Sequence, residues 1–406
     1  MGKIIFVNRY FYPDLSATSQ MLSDLAFGLN LEGVEVHIVT SRQRYDDASA
    51  ELPKNETIND VHVHRVWTSW FGRQNLFGRA VDYFSFYLFS AVKLLRLTKR
   101  DDVIVAKTDP PLISIVAALV ASIKSARLIN WVQDLFPEVA AELRVKFLRG
   151  PFYLILRYLR NLALFRAEQN VVLGRLMRER LKREGVAEEA ITVIPNWADG
   201  KNLQPIERRE NALRKRWGLC EKFVVGYSGN LGRSHDFSTI LEAAKLLEDN
   251  TDIVFLFIGG GAQLSWVKQQ VIKEDLSNVL FQDYQPQNYL SESLSVPDVH
   301  LISLKPSLEG LIVPSKFYGI AAVGKPSIFI GDSKGEIACL LHDYNCGYSV
   351  QQGENDKLVE LLLRFNNATH KDGYVEKADR IRRIFDESFD FSNVLAQWNR
   401  VFHQYF

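Results

Sequence analysis

The sequence predicts an α/β protein built from two doubly wound domains, each a parallel sheet covered by helices on both faces. Three observations carry that expectation. Strand-like apolar runs alternate with helical ones along the whole chain. One α/β pattern is complete before a second begins. The second opens on Val224-Val225-Gly226-Tyr227-Ser228-Gly229-Asn230-Leu231-Gly232-Arg233, a buried strand running into a glycine-rich turn. At 406 residues, the length fits two or three domains.

Strands of the first half are expected at Ile4–Val7, Val34–Val39, Val61–Val66, Val103–Ala106, Arg127–Val132, Val171–Val172 and Ile191–Ile194. Between the first two, Leu22, Leu25, Ala26 and Leu29 repeat at helical spacing, and Gly33 supplies a C-terminal stop. The run Ile194-Pro195-Asn196-Trp197-Ala198-Asp199-Gly200 to Pro205 holds turn residues and precedes the charged run Glu207-Arg208-Arg209-Glu210. This sets the expected limits at 1–200 for the first domain and 201–385 for the second.

In the second half, strands are expected at Phe223–Tyr227, Ile253–Ile258, Val279–Phe281, Val299–Ile302, Ser327–Ile330 and Tyr348–Val350. Asp236 is placed at the start of a helix whose apolar face is Phe237, Ile240, Leu241 and Ala244. A linker is expected near Phe385 to Phe391. Beyond it, Val394, Leu395, Trp398, Val401 and Phe402 mark a last helix within 386–406.

Bulk properties exclude several classes. Lysine plus arginine (49) balance aspartate plus glutamate (48), which argues against a nucleic-acid binder. Cys220, Cys339 and Cys346 form no CxxC pair, against a disulfide framework or a structural zinc and in favour of a reducing cytoplasm. No secretory signal is visible after Met1, and no apolar run is long enough to span a bilayer. The longest, Leu112 to Ile123, suits only a buried helix.

A glycine turn between strand and helix gathers backbone N–H groups where a helix dipole favours anions. Doubly wound domains bind ligands at the carboxyl ends of their strands, so the site is expected in a crevice between the two domains. A diphosphate held there points to a nucleotide-sugar enzyme. A nicotinamide dehydrogenase fits less well: the turn lies mid-chain, and the next strand ends in Gly259-Gly260-Gly261, without an acidic ribose partner.

Several words of the sequence occur in a telling order: Gln133-Asp134-Leu135-Phe136-Pro137-Glu138, Ile194-Pro195-Asn196-Trp197, Tyr227-Ser228-Gly229-Asn230-Leu231-Gly232, Phe257-Ile258-Gly259-Gly260-Gly261, and Pro314-Ser315-Lys316 with Ala322-Val323-Gly324-Lys325-Pro326. Together they resemble the family 4 (group 1) retaining glycosyltransferases, nearest the branch that builds bacterial surface polysaccharides, such as colanic-acid and O-antigen fucosamine transferases. The likeness covers nearly the whole chain. It implies the GT-B fold: two Rossmann-like domains, the acceptor on the N-terminal one, the donor nucleotide on the C-terminal one, and a final helix crossing back. It also implies metal independence and no cofactor besides a UDP-sugar substrate. No DxD-like pair argues otherwise, since Asp101-Asp102 reads as a turn.

The chain departs from the family where an arginine and a lysine usually stand five residues apart; here those positions are Asn230 and His235. Arg233 and Lys316 are the expected replacements, since fixed cations stabilise the charge that develops on the leaving diphosphate. For Arg233 the alternative is a solvated turn residue, and His235 stands open between a donor contact and a neighbour of a helix cap. The family's glutamate pair would fall on Leu311 and Gly319, so Glu309, followed by Gly310 and Leu311, is the expected reader of the donor sugar. Glu336 either replaces the second glutamate or is an ordinary first-turn acid. Gly229, Asn230, Gly232, Pro314 and Ser315 complete the donor side, with Tyr284 expected near the base.

In the turn after the first strand, Ser16 and Thr18 are offered to the donor phosphate; the alternative is that Ser16 or Ser19 only caps the next helix. Asp134, beside Gln133 at a strand end, is the expected acceptor-orienting acid or base. Lys107 and Asp109 end the neighbouring strand. The catalytic set is therefore Asp134, Glu309, Lys316 and Arg233, with no protein nucleophile and no metal.

Two basic and apolar segments suit a bilayer interface: Arg79 to Phe89 with Lys93, Arg96, Lys99 and Arg100, and Phe152 to Phe165 with Arg144, Lys146, Arg149, Arg157, Arg160 and Arg166. Packing into the first domain would explain them equally. The expected partners are a nucleotide sugar, a lipid-linked saccharide and a membrane surface, with no nucleic acid. The expected place is the cytoplasm, with a peripheral seat on the inner face of its membrane as a refinement. Two other functions stay open: a nucleotide-sugar 2-epimerase on the same fold, and a catalytically idle binding protein.

Overall fold

The computed structural model describes residues 2–45, 47, 49–71, 76–145, 148, 150–368 and 372–405. Its contacts divide the chain into two compact units, Met1–Pro195 with Leu395–Phe406, and Asn196–Val394. The last helix, Phe391–Phe402, is thus shared by the division.

Unit 1 holds strands β1 (Ile4–Val7), β2 (Val36–Ser41), β3 (Asn55–Ile58), β4 (Val61–Val66), β5 (Val103–Lys107), β6 (Arg127–Val132), β7 (Gln169–Val172) and β8 (Ile191–Val193). They form one sheet in the order β3-β4-β2-β1-β5-β6-β7-β8. All neighbours run parallel except β3 and β4. The inner strands are buried from end to end, which is why they read as unbroken apolar runs.

Sequence reasoning missed β3, an exposed edge strand with too few apolar residues to announce itself. Its signal lies in the turn: Asn59 and Asp60 both have positive φ (46° and 60°) and join Ile58 to Val61, as a two-residue hairpin requires.

Unit 2 holds β9 (Phe223–Ser228), β10 (Ile253–Ile258), β11 (Val279–Gln282), β12 (Val299–Ser303), β13 (Ser327–Ile330) and β14 (Gly347–Val350). Their order is β11-β10-β9-β12-β13-β14, all parallel. The order reverses direction between β9 and β12, and in unit 1 between β1 and β5. Those switch points are where doubly wound sheets take their ligands.

Three expectations are corrected. The helix after the glycine turn begins at Ser238, not Asp236; the Asp236 carboxylate instead accepts from the Thr239 N–H (3.1 Å) and hydroxyl (2.6 Å). Phe385 to Phe389 is no linker but a π-helical turn, held because Phe389 packs edge-on against Phe317 and Tyr318. The helix Ile113–Lys124 is not fully buried, since Leu119 and Ile123 are exposed.

Candidate functional site

In unit 2 the turn after β9 is shaped by its glycines. Gly229 adopts φ 111°, and its N–H donates to the Ile258 carbonyl (2.8 Å). The second glycine turn, after β10, nests against it. Gly261 has φ 142°, and a Cβ there would stand 2.7 Å from the Leu231 nitrogen. Leu231 N–H donates to the Gly260 carbonyl (2.7 Å), and the Gln263 side chain donates to the carbonyls of Gly232 (2.6 Å) and His235 (3.2 Å). The N–H groups of Gly232, Arg233 and Ser234 make no bond within the protein. The turn is therefore braced from behind while those three amides stay available.

Lys316 opens the short helix after Pro314 and Ser315 and sends its stem past Gly229, with Cε 3.9 Å from where a Cβ would stand. Its Nζ lies 3.6 Å from the centre of the Tyr227 ring, is buried, and has no hydrogen-bond partner. Loss of hydration pushes the ammonium well below its ordinary range. An unpaired buried cation is costly, and cation–π attraction recovers only part of that cost. Ser228 Oγ, one residue beyond Tyr227 on β9, is a second buried atom without a partner.

Glu309 supplies a third. Its Oε2 accepts from the Glu336 N–H (3.2 Å), while Oε1 is buried and unpartnered. The carboxyl lies so close to Gly335 that a Cβ there would meet Glu309 Cδ at 2.7 Å. Burial chiefly, then repulsion from Asp332 and Glu336, pushes the Glu309 carboxyl up to about 7. Gly310 reaches positive φ (72°) just after it.

Other expected donor residues divide clearly. Arg233 and Asn230 are exposed at the turn. His235 is buried, its Nδ1 bonded to the Ser303 carbonyl; burial first and Lys316 next push it down to about 3. A neutral imidazole with that nitrogen occupied brings no cation to a phosphate, so the charge expected at its position is absent. Tyr284 lays its ring over Gly259 and Gly260, where any side chain would displace it. Leu311 is corrected: its side chain is core, and its N–H is spent on the Leu308 carbonyl (3.0 Å). Glu336 is a buried first-turn acid of the helix Glu336–Asp343.

Sequence reasoning missed Tyr227, Ser228, Gln263 and Gly335. Tyr227 and Ser228 sat inside the Tyr-Ser-Gly word but read as ordinary strand. Gly335 was visible only as the residue before Glu336.

In unit 1 the carboxyl ends of β5 and β6 lead into acids, Asp109 and Asp134. Thr18 donates to Asp109 Oδ2 (3.2 Å), and the Arg9 N–H donates to the Asp109 carbonyl (2.7 Å). Ser16 occupies the helix N-cap position, yet its hydroxyl donates to Asp14 (2.5 Å) rather than capping. Gln133 is buried, and its N–H donates to Thr108 Oγ1 (3.1 Å). Asp134 is reached by solvent but surrounded by protein; loss of hydration first, then Asp109, pushes its carboxyl up to about 6, against the pull of Lys107. Its exposure makes that an upper bound.

Lys107 is corrected as an acceptor contact. It is 0% exposed, its Nζ lies 3.6 Å over the Trp131 ring, and it has no hydrogen-bond partner. It acts on Asp109 and Asp134 only through its charge. Among the described residues no cluster of three or more metal-ligating side chains occurs.

The comparisons with known proteins agree with this geometry. Residues 17–197 match the model of a glycosyl transferase 4-like domain, and residues 210–382 match that of glycosyl transferases group 1. Among curated proteins, the chain is 28% identical over 279 residues, 69% of each chain, to WbjE of Pseudomonas aeruginosa, named as a glycosyltransferase. It is 27% identical over 174 residues, 42% of each chain, to WcaI of Escherichia coli K12, named as a colanic acid biosynthesis glycosyl transferase. The fold matches that of HepE from Anabaena, solved with UDP, at a TM-score of 0.73 and 16% identity over 99% of this chain and 100% of that one. Two nested glycine turns, an uncompensated lysine at the switch point and both matched domains lead to one assignment: the chain belongs to the group 1 glycosyltransferases of GT-B fold.

Proposed function

We propose that the protein is a retaining hexosyltransferase that moves a sugar from a UDP-sugar to a lipid-linked saccharide. The observation that carries this reading is the unpartnered Lys316 ammonium against Gly229. A diphosphate docked there would give the buried cation its counter-charge, and the free amides of Gly232, Arg233 and Ser234 would take phosphate oxygens. Arg233, exposed at the same turn, adds a second charge. This neutralisation takes the place of a metal ion as the glycosidic bond breaks. HepE, a protein of the same fold, has been solved with UDP-glucose.

Glu309, with one oxygen free and a carboxyl poised near neutrality, suits hydrogen bonding to donor sugar hydroxyls. Asp134 orients the acceptor hydroxyl, and the departing phosphate oxygen takes its proton on the same face of the ring, which retains the anomeric configuration. Unit 1 also presents a face suited to a lipid-borne acceptor. The helices Leu76–Leu97, Ile113–Lys124 and Pro151–Arg166 pack side by side. They expose Phe84, Leu88, Leu119, Ile123, Ile155, Tyr158 and Phe165, with Arg96, Lys99, Arg100 and Arg166 exposed near their C-terminal ends. Arg160 and Arg157 do not belong to that rim, because both pair with Glu138 and Glu184. Lys146 and Arg149 lie outside the described residues. Among the described residues no helix is long and apolar enough to cross a membrane.

The test is a thermal-shift titration with UDP in EDTA. Wild type should gain about 2.7 kcal/mol at 100 times the dissociation constant. Lys316→Met should lose most of that gain and most of the transfer. An unchanged UDP response in Lys316→Met would overturn the reading. With UDP-N-acetylglucosamine alone no new UDP-sugar should form; its appearance would assign an epimerase instead.

A further inference from the structure

The acceptor side of unit 1 extends beyond Asp134 and Asp109. A pocket of about 200 Å³ opens past the carboxyl ends of β2 and β4, lined by Trp67 and Trp70 together with Arg42, Gln43, Glu51 and Thr68. Trp67 and Trp70 are 55% and 65% exposed, which is unusual for two tryptophans three residues apart. Their loop is nevertheless firmly built. Ser41 and Thr68 hydroxyls bond at 2.8 Å, and the Gln43 amide donates to the carbonyls of Thr68 (3.0 Å) and Ser69 (3.1 Å). Ser69 Oγ donates to the buried Asp82 (2.7 Å), which in turn faces Arg9 (3.7 Å). Arg42 Nε donates to the Leu52 carbonyl (3.0 Å) and its Nη2 lies 3.7 Å from Glu51.

Two exposed indoles on a braced loop, beside polar side chains, match a sugar ring, which offers C–H faces to aromatics and hydroxyls to carboxylate, amide and guanidinium. The Glu51 carboxylate and the Arg42 guanidinium offset one another in the lining, which leaves no net cation for an anionic headgroup. The small volume admits one ring rather than a large ligand. Strand order fixes the distance to the chemistry. From β4 and β2 to β6, which carries Asp134, lie four and three strand spacings, roughly 14–19 Å. That span is too long for a monosaccharide touching both places.

Resting on the transferase reading above, we infer that this pocket is a distal subsite for the acceptor, which is an oligosaccharide several rings long. Its terminal ring reacts near Asp134 while an inner ring stacks between Trp67 and Trp70.

The test uses a ladder of mono- to pentasaccharides cut by mild acid from the producing cell's own surface polysaccharide, with lipid removed. Binding is read by isothermal calorimetry, and UDP binding by thermal shift in parallel. Affinity should climb by at least about tenfold between one ring and the longest members, the scale of one good aromatic contact. Trp70→Ala and Arg42→Ala should erase that climb and leave the monosaccharide and UDP responses unchanged; Trp70→Phe should restore much of it. Affinity independent of length, or equal climbs in wild type and Trp70→Ala, would overturn the inference while an intact UDP response leaves the donor site standing. Loss of flotation with phosphatidylglycerol vesicles in Trp70→Ala, with saccharide binding unchanged, would overturn it by assigning the tryptophans to a lipid surface. Absence of a UDP response in wild type would instead remove the transferase reading beneath it.

Discussion

Replacing Glu309 by glutamine separates stability from function at the donor site. The carboxyl ionises near 7 in the folded protein against an ordinary 4.5. Because the folded value is raised, its contribution is fully present below about pH 4.5 and is lost as the pH climbs through 7. At about 1.36 kcal/mol per pKa unit, the loss amounts to roughly 3 kcal/mol, as an upper bound if the side chain relaxes toward water. Glutamine keeps an oxygen for the Glu336 N–H and carries no charge into the buried site. The stability margin of Glu309→Gln over wild type in urea unfolding should therefore widen between pH 5 and 8. At pH 8 it should exceed wild type in stability by about 1–3 kcal/mol. Transfer should fall at the same time, the trade expected where a strained polar group serves a ligand. Urea midpoints at both pH values, alongside donor kinetics, decide the matter. Parallel pH curves for the two proteins would refute the placement of an ionising Glu309 carboxyl in a desolvated pocket.

Three other outcomes follow from the geometry. Asp134→Asn should slow transfer by about 10²–10⁴-fold and abolish an acid limb of the pH–rate profile centred near 6, with UDP binding retained. Gly261→Ala should cost about 1–3 kcal/mol in thermal melts and weaken the UDP response, because a Cβ at φ 142° drives into the Leu231 backbone. Trp398→Ala should destabilise unit 1 by about 3–5 kcal/mol in denaturant titrations, since the indole is fully buried with its ring 4.9 Å from Trp131 and 5.6 Å from Phe402.

Much of the fold was legible because parallel strands buried on both faces must be apolar throughout. Ile4–Val7 and Ile253–Ile258 announce themselves and match residue for residue. What failed was whatever tertiary packing decides. Asn55–Ile58 owes its strand to pairing with β4, and the Phe385–Phe389 turn owes its form to Phe317 and Tyr318. At the site, glycine turns and the Pro-Ser-Lys word were visible as local patterns. That Lys316 rests on Tyr227, that Glu309 needs Gly335, and that Lys107 is sealed over Trp131 are contacts between residues 24 or more positions apart. Spacing along the chain carries no record of them. Arg157 and Arg160 show the same limit: as sequence they are a basic stripe, but buried glutamates claim both.

Unit 1 is discontinuous in sequence, and this has a consequence for biosynthesis. Domains generally form as the ribosome releases them, the earliest first. Here the twelve residues that complete the earlier unit emerge only after all of Asn196–Val394. Until Trp398 and Phe402 arrive, the rings of Trp131 and Phe6 lack their partners. The downstream half can thus mature while the upstream half still waits, and during that interval the nascent polypeptide offers chaperones an aromatic surface that the finished molecule hides.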